Sequence, residues 1–186
     1  VSLLAIYPEL ARGQPEVVRD YATMATQLKN IGVQFAQWQA EQPLSPDADQ
    51  AAVMSAYQTS IDKLNMQYGF QSVEVVARTP ENPDKATLRQ KFLAEHTHAD
   101  FEVRFFVEGG GPFYLHVGDK VYLLLCEKGD LISVPANTTH WFEPGESQNF
   151  KCIRLFTTAD GRVGEFSGRD IAARFADFDP LEAQFQ

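Results

Sequence analysis

From about residue 92 the hydrophobic period of this chain becomes two, and short apolar runs are divided by turns bearing Gly and Pro. The pattern predicts strands near Phe101–Glu108, Phe113–Val117, Lys120–Cys126, Leu131–Val134, His140–Phe142 and Lys151–Phe156. Gly118-Asp119 and Lys128-Gly129-Asp130 are natural hairpin turns between them. Many short antiparallel strands after a more helical N-terminus predict a mainly β fold with peripheral helices, a small β-barrel or jelly roll.

The first half reads differently. A short strand is expected at Leu3–Tyr7 and a helix over Pro15–Gln27, with Val17, Val18, Tyr21, Met24, Ala25 and Leu28 as its apolar stripe until Gly32 stops it. Val33–Trp38 suits a short strand. Pro43-Leu-Ser-Pro46 is a connector, and Ser45 or Asp47 is placed to cap a second amphipathic helix over Asp49–Gln67. Ser72–Arg78 reads as β, Pro80–Pro83 as a turn, Asp84–Phe92 as a short helix, and Gly168–Phe178 as a last helix ended by Pro180. One domain, 1–186, is therefore expected: a helical N-terminal portion 1–92 packed on a barrel 93–160, with a C-terminal helix about 168–178.

Within the strand-rich part, His96-Thr-His98-Ala-Asp-Phe-Glu102 is answered by Pro135-Ala-Asn-Thr-Thr-His140. On an extended strand the even spacing of His96, His98 and Glu102 projects all three to one side. His140, just past the apolar run Asp130–Val134, completes the set if its strand returns beside the first. Three imidazoles and a carboxylate suit divalent iron, nickel, manganese or zinc, and an octahedral ion would keep two adjacent positions for substrate. A tetrahedral zinc ion would have no open position, which disfavours hydrolysis by zinc-bound water.

Parity also places Arg104 and Phe106 on the face of Glu102, whereas Phe101, Val103, Phe105 and Val107 form the apolar face. An interior guanidinium needs a carboxylate, a bound anion or water to offset its desolvation, and an anionic substrate would serve. Arg154 poses the same question. Phe92, Phe106 and Phe142 are candidates to line a substrate pocket, with core packing as the plainer role. His116 has no evident partner and reads as a surface or core histidine.

The net charge of -9 with no basic face argues against a nucleic-acid partner. Cys126 and Cys152 sit in apolar runs without disulfide or redox spacing, and neither a signal pattern nor an apolar stretch of membrane-spanning length is evident, so a cytoplasmic location with no membrane partner is expected. No Gly-rich phosphate loop, Gly-x-Ser-x-Gly elbow or Cys–His nucleophile occurs.

The two motifs resemble those of the cupin superfamily: His96-x-His98-x-x-x-Glu102 with Gly109 beyond it, then Gly129, Pro135, Asn137 and His140. Closer still is a resemblance to bacterial acireductone dioxygenases, carried by Glu102-Val-Arg-Phe-Phe-Val-Glu-Gly109, Leu131-Ile-Ser-Val-Pro-Ala136, His140-Trp-Phe142, Ala56-Tyr57 and Ile61-Asp-Lys-Leu64. Gln90, Asn137 and Pro144 depart from the cupin pattern, and Phe101 stands where an acidic residue is common in the family.

The resemblance implies a cupin fold and a methionine-salvage enzyme that oxidises 1,2-dihydroxy-3-keto-5-methylthiopentene with O2. It implies one Fe2+ or Ni2+ per chain on His96, His98, Glu102 and His140. The iron form would give 2-keto-4-methylthiobutyrate and formate; the nickel form would give 3-methylthiopropionate, formate and carbon monoxide. Arg104 would favour the substrate dianion, and Glu95 would act in metal loading, with structural capping as its alternative. A monomer is expected. Another cupin dioxygenase or isomerase with a different oxygen-rich substrate, or a non-catalytic metal-binding cupin, are the alternatives.

Overall fold

The computed structural model describes residues 1–10, 15–78, 93–143 and 149–175. Its strands are β1 (Leu3–Pro8), β2 (Glu16–Val18), β3 (Gln34–Gln37), β4 (Ser72–Arg78), β5 (His96–His98), β6 (Glu102–Gly109), β7 (Gly111–Val117), β8 (Lys120–Cys126), β9 (Asp130–Val134), β10 (Thr139–Phe142), β11 (Phe150–Phe156) and β12 (Gly164–Phe166). The helices are α1 (Tyr21–Asn30), α2 (Gln50–Ala56) and α3 (Gln58–Tyr68), with a 3-10 turn at Ile171–Phe175. The expected turn at Pro80–Pro83, the helix at Asp84–Phe92, residues Gln90, Phe92 and Pro144, and the end of the last helix lie outside the described residues.

Two antiparallel sheets form the body, in the orders β12-β5-β10-β7-β8-β1-β2 and β3-β9-β6-β11-β4. They share an inner core in which Leu4, Phe113, Leu124 and Phe142 of the first sheet are clustered with Phe35, Phe106, Ile132 and Cys152 of the second. Alternation sends the intervening residues outward, where they also find cover. Val103, Phe105, Val107, Leu131 and Ile153 are buried with Val53, Tyr57, Ile61 and Leu64 of α2 and α3. Tyr7, Tyr114, Leu123 and Trp141 are buried with Ile171, Ala172 and Phe175. The mainly β cupin fold with peripheral helices is thus present. Among the described residues no helix is long and apolar enough to cross a membrane.

The N-terminal portion is less helical than its apolar stripe implies. Val17 and Val18 belong to β2, paired on the edge of β1, and the helix begins only after Asp20, whose carboxylate accepts the Thr23 N–H at 2.9 Å. Likewise Asp49, not Ser45 or Asp47, caps α2. The expected single helix over Asp49–Gln67 breaks at Tyr57, whose ring packs edge-on against Phe105 with centroids 4.6 Å apart. Asn137 has φ of 62°, so the residue replacing the usual motif glycine adopts the left-handed conformation that Asn tolerates best among side-chain-bearing residues.

One corner matters most for function. The expected single extended stretch from His96 to Glu102 is two strands: β5 belongs to the first sheet and β6 to the second. Asp100 holds the corner between them, accepting backbone N–H bonds from Phe101 at 2.7 Å, Thr157 at 2.6 Å and Thr158 at 2.9 Å, and bonds from both threonine hydroxyls.

Burial opposes ionisation of Asp100, but the bonds from Thr157, Thr158 and Phe101 outweigh it and hold the carboxyl below its ordinary 3.8. Because the folded value is the lower one, this stabilisation is fully present above about pH 4 and is lost as pH falls through the folded value. Asp100→Ala, which strips several N–H groups of their acceptor, is expected to cost about 2–4 kcal/mol in urea unfolding of the metal-free protein near neutral pH. The gap between the wild type and this variant should narrow below about pH 4; equal stability at pH 7 would show that the corner does not depend on Asp100.

Candidate metal centre

Antiparallel pairing puts β10 beside β5 with His140 directly opposite His96, and His98 lies two residues further on the same face. The expected return of the His140 strand beside the first is therefore met. All three histidines are buried, and each offers a nitrogen within 4.8 Å of the others'. Glu102 reaches in from the facing sheet: its Oε2 is 3.1 Å from His98 Nε2 and 3.3 Å from His140 Nε2.

The backbone orients the rings. Nδ1 of His96 lies 2.8 Å from the Ala94 carbonyl, that of His98 3.0 Å from the Val163 carbonyl, and that of His140 2.8 Å from the Thr138 carbonyl. An imidazole donating from Nδ1 presents the lone pair at Nε2. Burial, reinforced by the charge of His140, pushes His96 down to about 4, so it is neutral at pH 7. His98 Nε2 is buried without a hydrogen-bond partner and lies 3.1 Å from Glu102 Oε2. The three imidazoles thus form a cluster that can hold a divalent cation, and Glu102 Oε2 lies beside two of them.

The other Glu102 oxygen faces two guanidiniums. Oε1 accepts from Arg104 Nη2 at 2.8 Å and Nε at 3.2 Å, and from Arg154 Nε at 3.1 Å. Burial opposes the charge on Glu102, but Arg154 and Arg104 more than compensate and hold its carboxyl well below the usual range. Arg154 also donates to Glu74 Oε1 at 2.7 Å, and the Arg104 guanidinium carbon lies 4.7 Å from the Phe142 ring centroid and 5.2 Å from that of Phe113. A protein carboxylate, Glu102, therefore supplies the partner that Arg104 was expected to need.

Phe106 and Phe142 are packed in the inner core. Phe113 stacks on His140 with centroids 5.3 Å apart, fixing that ring. The buried Glu95 carboxylate is taken up by His116 Nδ1 and Ser167 Oγ, each at 2.7 Å. His116 is thus a partnered residue rather than an isolated one. Glu74, Asp100 and the Val163 carbonyl were missed from sequence. Glu74 had a readable signal as the one charge within Ser72-Val-Glu-Val-Val-Ala77; a backbone carbonyl has none.

The family model described as ARD/ARD' matches residues 6–163, most of the chain and every residue of this cluster. The chain belongs to the ARD/ARD' family. It is 53% identical over 175 residues to the acireductone dioxygenase of Methylococcus capsulatus, a match covering 94% of each chain. It is 52% identical over 184 residues to that of Aquifex aeolicus, covering 97% of this chain and 98% of the relative. Among solved structures it is similar to the acireductone dioxygenase of Bacillus anthracis with a cadmium ion in its active center: TM-score 0.78, 26% identity, 89% of this chain and 98% of that chain.

Glu102→Gln keeps the shape but removes the counter-charge of two buried guanidiniums, and the ARD/ARD' chain so altered is expected to lose about 3–5 kcal/mol of stability in its metal-free form. Chemical unfolding of both metal-free proteins measures this. Unchanged stability would mean that Arg104 and Arg154 are compensated elsewhere.

Proposed function

We propose that this chain is a metal-dependent dioxygenase of methionine salvage, oxidising the acireductone 1,2-dihydroxy-3-keto-5-methylthiopentene with O2. The observation that carries the proposal is the cluster of His96, His98 and His140 with the Glu102 carboxylate, backed by two arginines, beside two of them, in a chain about half identical to acireductone dioxygenases over nearly its whole length. These four residues would hold one Fe2+ or Ni2+, whose Lewis acidity would draw electron density from the oxygens of the enediol.

The chain's own contribution is orientation and charge. The carbonyls of Ala94, Val163 and Thr138 keep the imidazoles in one tautomer, and Phe113 keeps His140 flat against it. Arg104 and Arg154 hold Glu102 ionised through Oε1 and leave Oε2 for the metal. Arg104, shielded from water by Phe113 and Phe142, favours an anionic enediol over the neutral one, the form more readily oxidised by dioxygen. Phe106 and Phe142 close the inner end against water. Glu95, bonded to His116 and Ser167, anchors the strand that carries His96 and His98. The working unit of this reading is a cytoplasmic monomer acting on a small molecule.

The decisive experiment is to strip the metal, reload separate samples with Fe2+ or Ni2+, add anaerobic acireductone and then oxygen, and identify the products. Expected are 2-keto-4-methylthiobutyrate and formate from the iron form, and 3-methylthiopropionate, formate and carbon monoxide from the nickel form. No turnover by either fully loaded form would overturn the substrate assignment. Arg104→Ala is expected to lower kcat/KM about 100-fold or more at retained metal content; unchanged turnover would remove Arg104 from the mechanism.

A further inference from the structure

The aromatic rings against the three imidazoles are not equivalent. Phe113 on His140 and Phe156 on His98 are both fully buried and offer no free surface. Phe166 stands edge-on to His96 with centroids 6.0 Å apart and is 60% exposed. Among the described residues it is the one such ring with an open apolar face.

Strand register explains the placement. β12 is an edge strand paired antiparallel to β5, with Phe166 opposite His96 and Gly164 opposite His98. Directly opposed residues share a face of the sheet, so Phe166 lies on the face that carries the imidazoles. Gly164 shares it and adds no side chain. A Cβ there would sit 3.1 Å from His96 Cδ2, so the strand lies tight against the rings.

Bonds on either side fix the segment. The Val163 carbonyl accepts a hydrogen bond from His98 Nδ1, and Ser167 bonds Glu95 through both its hydroxyl, at 2.7 Å, and its backbone N–H, at 3.0 Å. Arg169 donates to Glu9 Oε1 at 2.7 Å. An exposed phenyl ring is therefore held at a set distance from the ligand cluster.

Resting on the acireductone reading above, we infer that Phe166 determines substrate specificity as the wall that receives the apolar, thioether-bearing tail while the oxygen-rich end lies toward the histidines. A thioether gains both from apolar burial and from sulfur contact with a ring edge or face.

The test uses the metal-loaded protein without oxygen, so that binding is read apart from turnover. Calorimetry measures the affinity of the full acireductone and of a truncated acireductone in which a methyl group replaces the methylthioethyl tail. The wild type is expected to bind the tailed compound about tenfold more tightly. In Phe166→Ala that preference should collapse towards one, while Phe166→Leu, which restores an apolar wall, should recover part of it. Metal content is measured in all three proteins and should be the same. A wild type without preference for the tail would overturn the inference while leaving the acireductone reading intact. So would a Phe166→Ala protein that keeps the preference, whether or not both compounds bind more weakly. A loaded wild type that binds neither compound would overturn the acireductone reading and the tail assignment with it.

Discussion

The centre depends on a corner. His96 and His98 lie on one sheet and Glu102 on the other, so the carboxylate meets the imidazoles only because the chain turns between β5 and β6 and crosses the gap between layers. A single flat strand would put all three in a row on one surface, with the carboxylate more than 10 Å from the nearer histidine at about 3.3 Å per residue. Turning the chain brings Glu102 Oε2 to 3.1 Å from His98 Nε2. Asp100 secures the corner by accepting the Phe101 N–H within it and the N–H groups of Thr157 and Thr158, just past the end of β11. The same side chain thus ties the turn to the strand that carries Arg154.

Glu102 then connects two environments that would each be unfavourable alone. Two buried guanidiniums without a carboxylate would be strongly destabilising, and so would a buried carboxylate facing only imidazole lone pairs. Dividing the oxygens resolves both: Oε1 accepts from Arg104 and Arg154, while Oε2 points at His98 and His140. The arginines hold the Glu102 carboxyl well below the usual carboxylate range, and Glu74 balances the further charge on Arg154.

Much of this was legible in the sequence, and the rest has physical reasons for being hidden. Short apolar runs divided by Gly- and Pro-bearing turns located the strands from Glu102 to Phe156 closely, because strands buried on both faces leave little room for polar residues except at their ends. The cluster of His96, His98 and His140 could be read from spacing and the expected strand return. Parity sorted Glu102, Arg104 and Phe106 from Val103 and Phe105 correctly, because both groups lie within β6. It was misapplied from His98 to Glu102, where the corner intervenes and Asp100 carried no distinguishing mark. Pro15–Val18 was misread for another reason: Val17 and Val18 fit either a helical stripe or an edge strand, and only β1 lying alongside decides. The pairing of His116 with Glu95 joins distant segments, so no local pattern announces it.

What remains is how far such a centre can discriminate between metals. The imidazoles are oriented by backbone carbonyls and Glu102 by arginines, so the donor set is held by groups that do not change with the ion. Imidazole and carboxylate accept Fe2+ and Ni2+ alike, and the raw affinity order favours nickel. Nothing in this donor set is soft enough, or strained enough towards one geometry, to reverse that order. On the proposed reading, selection between the two ions would fall to their supply and exchange rate, and the fold would offer the same fixed arrangement to either.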